Sequence, residues 1–172
     1  MLVFNQLVDG DHVAALASLQ AAVHSVELTF HERTKGRLRI KTTLGVEAGI
    51  QIERGLILQD GQMLQADSGE YLKIEAKDEM VSVASAASQH LFARACYHVG
   101  NRHAEVEIGE SQLKYLRDHV MDEMLRRLGL DVCEESLPFQ PENGAYAKGH
   151  SHSHSHSHSH EHEHEHEHEH GH

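Results

Sequence analysis

The sequence predicts an α+β chain: a small N-terminal β domain, a ferredoxin-like βαββαβ domain, and a disordered histidine-rich tail. Three observations predict it. Apolar and polar residues tend to alternate from residue 26 to residue 68, punctuated by Gly36, Gly45, Gly55 and Gly61. From residue 70 the pattern switches between strand and helix periods in the order β-α-β-β-α-β, the split βαβ arrangement. From His150 every second residue is histidine and no apolar side chain occurs, so nothing there offsets the entropy of ordering. The predicted units are residues 1–69, 70–141 and 142–172.

In the first unit, residues 1–8 read as a strand broken by Asp9-Gly10-Asp11. Residues 12–23 carry Val13, Leu16 and Val23 at a weak helical period, with a loop as the alternative. Residues 37–41 and 46–52 alternate cleanly, and Asp60-Gly61 signals a turn between 56–58 and 63–64. Arg33, Lys35, Arg37, Arg39 and Lys41 line one stretch. It is either the solvated face of a hairpin or a docking surface for an acidic partner. Polar Asp67-Ser68-Gly69 marks the boundary.

In the second unit, residues 71–76 alternate as the first strand, Asp78-Glu79 turns the chain, and 80–83 continue extended. Ser88 is a good N-cap for a helix over 88–99 with Leu91, Phe92, Ala95, Cys96 and Val99 as its buried stripe, closed by a left-handed Gly100. Residues 103–108 and 112–116 read as strands around Gly109-Glu110. Asp118 caps a helix running to Leu128, with Arg126 and Arg127 in its last turn, as the macrodipole prefers. Gly129 stops it, and 130–137 is the final strand before Pro138 and Pro141.

Composition excludes several functions. The net charge of −12 over 172 residues argues against a nucleic-acid partner. No apolar stretch approaches the ~20 residues of a membrane span, and the N-terminus lacks an export signal, so a cytoplasmic location is expected. Cys96 and Cys133 form no CxxC pair and suggest no disulfide framework; both read as core packing. The tail formally contains H-E-x-x-H from His160, but only as a by-product of its repeat, with no apolar face to hold a helix in an enclosed site. No P-loop occurs. An enzyme is not expected.

What remains is histidine chemistry. Twelve of nineteen histidines form the tail: His150, His152, His154, His156, His158, His160, His162, His164, His166, His168, His170 and His172, with glutamates interleaved from Glu161. Neutral imidazole is the commonest protein ligand for borderline divalent metals. His12, His24, His31 and His90 have no partner at ligand spacing and read as surface residues. His103 differs, because it follows a helix end and a tight turn, where a ligand is held in a fixed direction. One imidazole binds a divalent ion weakly, and a two-fold dimer brings a second copy to the axis. His119 stands at a helix N-terminus, whose dipole disfavours the protonated ring. His98 is left undecided.

The run Cys96-Tyr97-His98-Val99-Gly100-Asn101-Arg102-His103, followed by Asp118-His119-Val120-Met121-Asp122-Glu123-Met124-Leu125, resembles the metal-binding domain of the urease accessory protein UreE family. Glu32-Arg33-Thr34-Lys35-Gly36-Arg37-Leu38, Arg54 to Gly61, Leu137 to Glu142 and the histidine-rich end support the resemblance. It implies a peptide-binding β domain, a ferredoxin-like metal-binding domain, and a cytosolic homodimer holding one Ni2+ through His103 of both subunits. Tail histidines would complete or feed that site, and Zn2+ or Cu2+ would also bind in vitro. The implied partners are the apo-urease complex and its accessory GTPase. Some members carry a second histidine two residues before His119; here that position is Arg117, which leaves a peripheral site incomplete. The expected function is nickel capture and delivery to apo-urease, with client-free divalent-metal storage as the alternative.

Overall fold

The computed structural model describes residues 2–8 and 23–143. The helix expected over 12–23 falls outside them except for Val23, which opens a strand, and the tail lies outside them entirely.

The first sheet comprises β1 (Leu2–Val8), β2 (Val23–Leu28), β3 (Arg37–Lys41), β4 (Glu47–Gln51), β5 (Met63–Ala66) and β6 (Tyr71–Ala76), in the order β2-β6-β5-β1-β4-β3. β1 runs parallel to β4 and β2 to β6; the other pairs are antiparallel. Phe4, Ile50, Leu58, Leu64, Leu72 and Ile74 make the centre of its core.

Residues 71–76 were expected to open the second domain. They instead belong to the first sheet, with Ile74 beside Val26 and Leu72 beside Leu64. Leu72 and Ile74 are fully buried, so detaching this strand would expose the first core. Asp67-Ser68-Gly69 is therefore the β5–β6 hairpin, with Gly69 at φ 96. The chain leaves the first sheet at Lys77, whose N–H donates to Leu28 O at 2.9 Å.

The second sheet comprises β7 (Asp78–Ser85), β8 (Glu107–Ile108), β9 (Gln112–Leu116) and β10 (Asp131–Pro138), in the order β10-β7-β9-β8 with every neighbour antiparallel. The helices between them are α2 (Gln89–Gly100) and α3 (His119–Leu128). This is the βαββαβ fold, with β7 as its first strand. Asp78 and Glu79, expected to turn, are extended and pair with Pro138 and Leu137. Ala84, Ala95, Val99, Leu113, Tyr115 and Leu125 bury the helices against one sheet face. Cys96 packs against this cluster, but Cys133 is exposed, on the face away from the helices with its thiol toward Glu135. Strand alternation assigns residue 133 to a face without deciding which face is covered.

A short helix, α1 (Phe30–Arg33), interrupts the stretch read as strand. Thr29 and Glu32 form a capping box: the Thr29 side chain accepts from Glu32 N–H, and Glu32 accepts from Thr29 N–H at 2.9 Å. That backbone bond is the main reason the Glu32 carboxyl sits below its ordinary pKa. The helix turns Arg33 inward. Expected in a surface-lining basic stretch, Arg33 has no exposed surface. Its guanidinium donates to Leu58 O at 3.1 Å and to Phe139 O, joining the first sheet to the segment that follows β10. Burial lowers its pKa, and the charges of Glu79 and Asp60 oppose that shift. Phe30 meets Phe139 edge-on at 5.5 Å between ring centroids, with Val81 and Val83 buried alongside.

Replacing Arg33 by methionine keeps the bulk and removes both donors. Each stranded buried carbonyl costs about 1–3 kcal/mol, so urea denaturation of Arg33→Met should show a loss of roughly 2–6 kcal/mol.

Candidate metal centre

The ferredoxin-like domain presents its histidines at helix ends. Ser88 caps α2, accepting from Leu91 N–H at 3.2 Å. Along the helix Ala95 and Val99 are buried, His98 is half-buried, and Tyr97 is 67% exposed with its ring edge-on to His98 at 5.4 Å. Gly100 was expected to end the helix in the left-handed conformation. Instead it stays helical, and the turn tightens: Arg102 N–H donates to Val99 O at 3.0 Å and His103 N–H to Gly100 O at 3.1 Å. These bonds carry the helical winding past the glycine, and the reversal falls on His103.

His103 has φ 53, the one non-glycine residue with positive φ among those described. Histidine tolerates this region better than most side chains, yet such a residue still costs of order 1–3 kcal/mol. Its imidazole is exposed. Arg102 fixes the same turn from the other side, its Nε–H reaching Met124 Sδ on α3 at 3.3 Å. Residues 104–106, expected as strand, are irregular, and β8 is confined to Glu107–Ile108. The Glu142 N–H donates to Val106 O at 2.9 Å, so the terminal segment lies alongside this stretch.

His119 is the first residue of α3 and is exposed. Asp118 Oδ1 caps that helix, accepting from Val120 N–H at 2.8 Å and Met121 N–H at 3.2 Å; Gly129, at φ 107, ends it as expected. Arg117 pairs with Glu134 on β10 at 2.8 Å. The helix is anchored from beneath by Tyr115, whose hydroxyl donates to the buried Asp122 carboxylate at 2.8 Å. Burial, and then this bond, push the Tyr115 pKa well up.

His31 and His90 are exposed as expected. His24 is not: it is 9% exposed in β2, with its ring edge-on to Phe4. His12 and the tail histidines lie outside the described residues. No group of three or more His, Cys, Asp or Glu among the described residues is placed to hold a metal ion. The described residues of one chain thus hold no ready-made site of three such ligands.

Architecture and site together describe a two-domain α+β protein that presents exposed imidazoles at the ends of packed helices. The family description "UreE urease accessory protein, N-terminal domain" matches residues 6–77, and "UreE urease accessory protein, C-terminal domain" matches residues 79–172. The urease accessory protein UreE of Escherichia coli O157:H7 is 46% identical over 129 residues, covering 74% of this chain and 84% of the relative. That of Alkalilimnicola ehrlichii is 49% identical over 129 residues, covering 74% and 79%. That of Teredinibacter turnerae is 46% identical over 121 residues, covering 70% and 79%. The chain belongs to the UreE urease accessory protein family. Its role is in urease maturation, as an accessory chaperone and not an enzyme. No helix among the described residues is long and apolar enough to cross a membrane.

Tyr115 makes a pH prediction. Its folded pKa is raised above the unfolded value of about 10. Its contribution to stability is therefore intact below about pH 10 and declines as pH rises further. Urea midpoints measured from about pH 8 to about pH 11 should fall less steeply for Tyr115→Phe than for the natural chain.

Proposed function

We propose that this chain captures Ni2+ and delivers it to apo-urease during assembly of the metallocentre. The observation that carries the proposal is His103: an exposed imidazole held in a left-handed backbone position where glycine would be less strained. Strain of this kind concentrates where a side chain's direction matters to function. One imidazole cannot retain the ion, so the site is shared across a homodimer, His103 from each copy meeting at the two-fold axis. Exposed Tyr97 and Val120, on the two packed helices, suit a surface covered by a second copy.

His119 is a secondary ligand candidate. Arg117, tied to Glu134, leaves it without a second imidazole two residues away. The histidines from His150 to His172 act collectively, raising capacity with ligands that exchange one at a time. Zn2+ and Cu2+ compete in vitro, since the Irving–Williams order places Cu2+ above Ni2+ at imidazole sites. Delivery occurs in the cytoplasm, to the apo-urease accessory complex with its GTPase.

Calorimetric nickel titration of three chains tests this: the full chain, the chain ending at Gly149, and His103→Ala. Truncation should reduce the number of ions bound while keeping the tightest phase, and His103→Ala should lose that phase. Nickel affinity should also fall between about pH 8 and about pH 5, as imidazoles protonate near ~6.5. Unchanged tight binding and urease activation by His103→Ala, with both abolished by truncation, would favour simple storage instead.

A further inference from the structure

β3 is an edge strand, and its register divides its residues into two sets. Ile52 N–H donates to Gly36 O at 2.8 Å and Thr42 N–H to Val46 O at 2.9 Å, at the two ends of the β3–β4 ladder. In an antiparallel pair such bonded positions recur every second residue. Leu38 and Ile40 therefore bond inward to β4. Arg37, Arg39 and Lys41 direct their N–H and C=O groups to the open side. Among the described residues no other strand pairs with β3, and no backbone bond reaches those three from that side. Among the described residues, the backbone bond from the sheet's other edge falls beyond the strand's end, where Thr43 N–H donates to Ser25 O at 2.9 Å.

The same three residues carry the charge. Their side chains are exposed and share one face at two-residue spacing. Their partners on β4 do little to neutralise them: Arg37 faces Gln51, Arg39 faces Gly49, and only Lys41 faces a carboxylate, Glu47. No ion pair reaches any of the three among the described residues. Gly49 brings no side chain to this face, leaving a shallow hollow lined by Val3, Arg37, Arg39 and Gln51. This cationic strip belongs to a chain of net charge −12.

We infer that the open edge of β3 is a docking site for an extended acidic segment of a partner protein, which adds a strand beside Arg37–Lys41. An added strand is held by main-chain bonds, and its alternate side chains supply specificity. Carboxylates at every second position fall opposite Arg37, Arg39 and Lys41, the cross-strand pairing that stabilises neighbouring strands. A second copy of β3 does not fit, because it would set cation against cation, a common device against edge-to-edge association.

The test uses the full chain and a fluorescent, end-capped peptide alternating threonine and glutamate. Controls are a peptide of the same composition with its glutamates clustered, and one alternating threonine and lysine. The alternating glutamate peptide should bind best by anisotropy. Its binding should slow amide exchange at Arg37, Arg39 and Lys41 in the natural chain, a readout that needs no variant. Arg39→Glu should weaken it at least ~10-fold. Arg39→Pro should weaken it more than Arg39→Ala, because proline also removes an outward N–H while sparing the ladder to β4. Equal binding of the clustered or lysine peptide would overturn the inference. So would unchanged exchange at the three amides, or equal effects of Arg39→Ala and Arg39→Pro.

Discussion

The buried guanidinium of Arg33 is the contact on which the arrangement of the two sheets rests. A charge is removed from water, at a cost seen in its lowered pKa, and compensated by two backbone carbonyls from distant parts of the chain. Leu58 belongs to the loop before β5, and Phe139 follows the last strand of the second sheet. Both terminal nitrogens of the guanidinium are therefore bonded only when both carbonyls are in place, while its buried Nε has no partner among the described residues. Around it the junction is knit by Phe30 N–H donating to Glu79 at 2.6 Å and Asp60 N–H donating to the Gln140 side chain at 2.9 Å. Methionine or leucine at residue 33 would pack, but would not select which loop meets which strand end.

The same terminal segment reaches the candidate metal centre. After Phe139, Gln140 N–H donates to Glu107 at 3.0 Å and Glu142 N–H to Val106 O. These bonds fix the stretch that leaves His103. From the other side Arg102 holds the turn to Met124, and Tyr115 holds α3 through Asp122. The left-handed His103 is thus clamped before and behind, which is how an unfavourable backbone position persists. Its imidazole stays outside the core, so the domain's packing bears the strain while the ring remains exposed.

Much of this was legible in the sequence because it is local. The alternation at 37–41, the Ser88 and Asp118 caps and the stop at Gly129 each depend on neighbours a few residues away, and each appears where expected. What was not legible depends on distant partners. Residues 71–76 alternate equally well for either domain; only pairing with β2 and β5 assigns them to the first. Arg33 sits among exposed basic residues, and its local signal, Thr29 and Glu32 as a capping box, announces a helix but not the burial of its last residue. Gly100 offers the obvious left-handed site for the helix reversal, but the bonds that wind the chain past it are formed by Arg102 and His103 themselves. His24 shows the same limit, since its ring is buried against Phe4, twenty positions away on another strand.

The central claim is that a defined imidazole, and not only a histidine-rich tail, holds the transported ion. Anomalous diffraction at the nickel edge, from nickel-loaded crystals of the chain ending at Gly149, tests it most directly. The account predicts a nickel peak bonded to His103 and its symmetry mate on the two-fold axis. Nickel bound elsewhere on that chain, with none at His103, would contradict it.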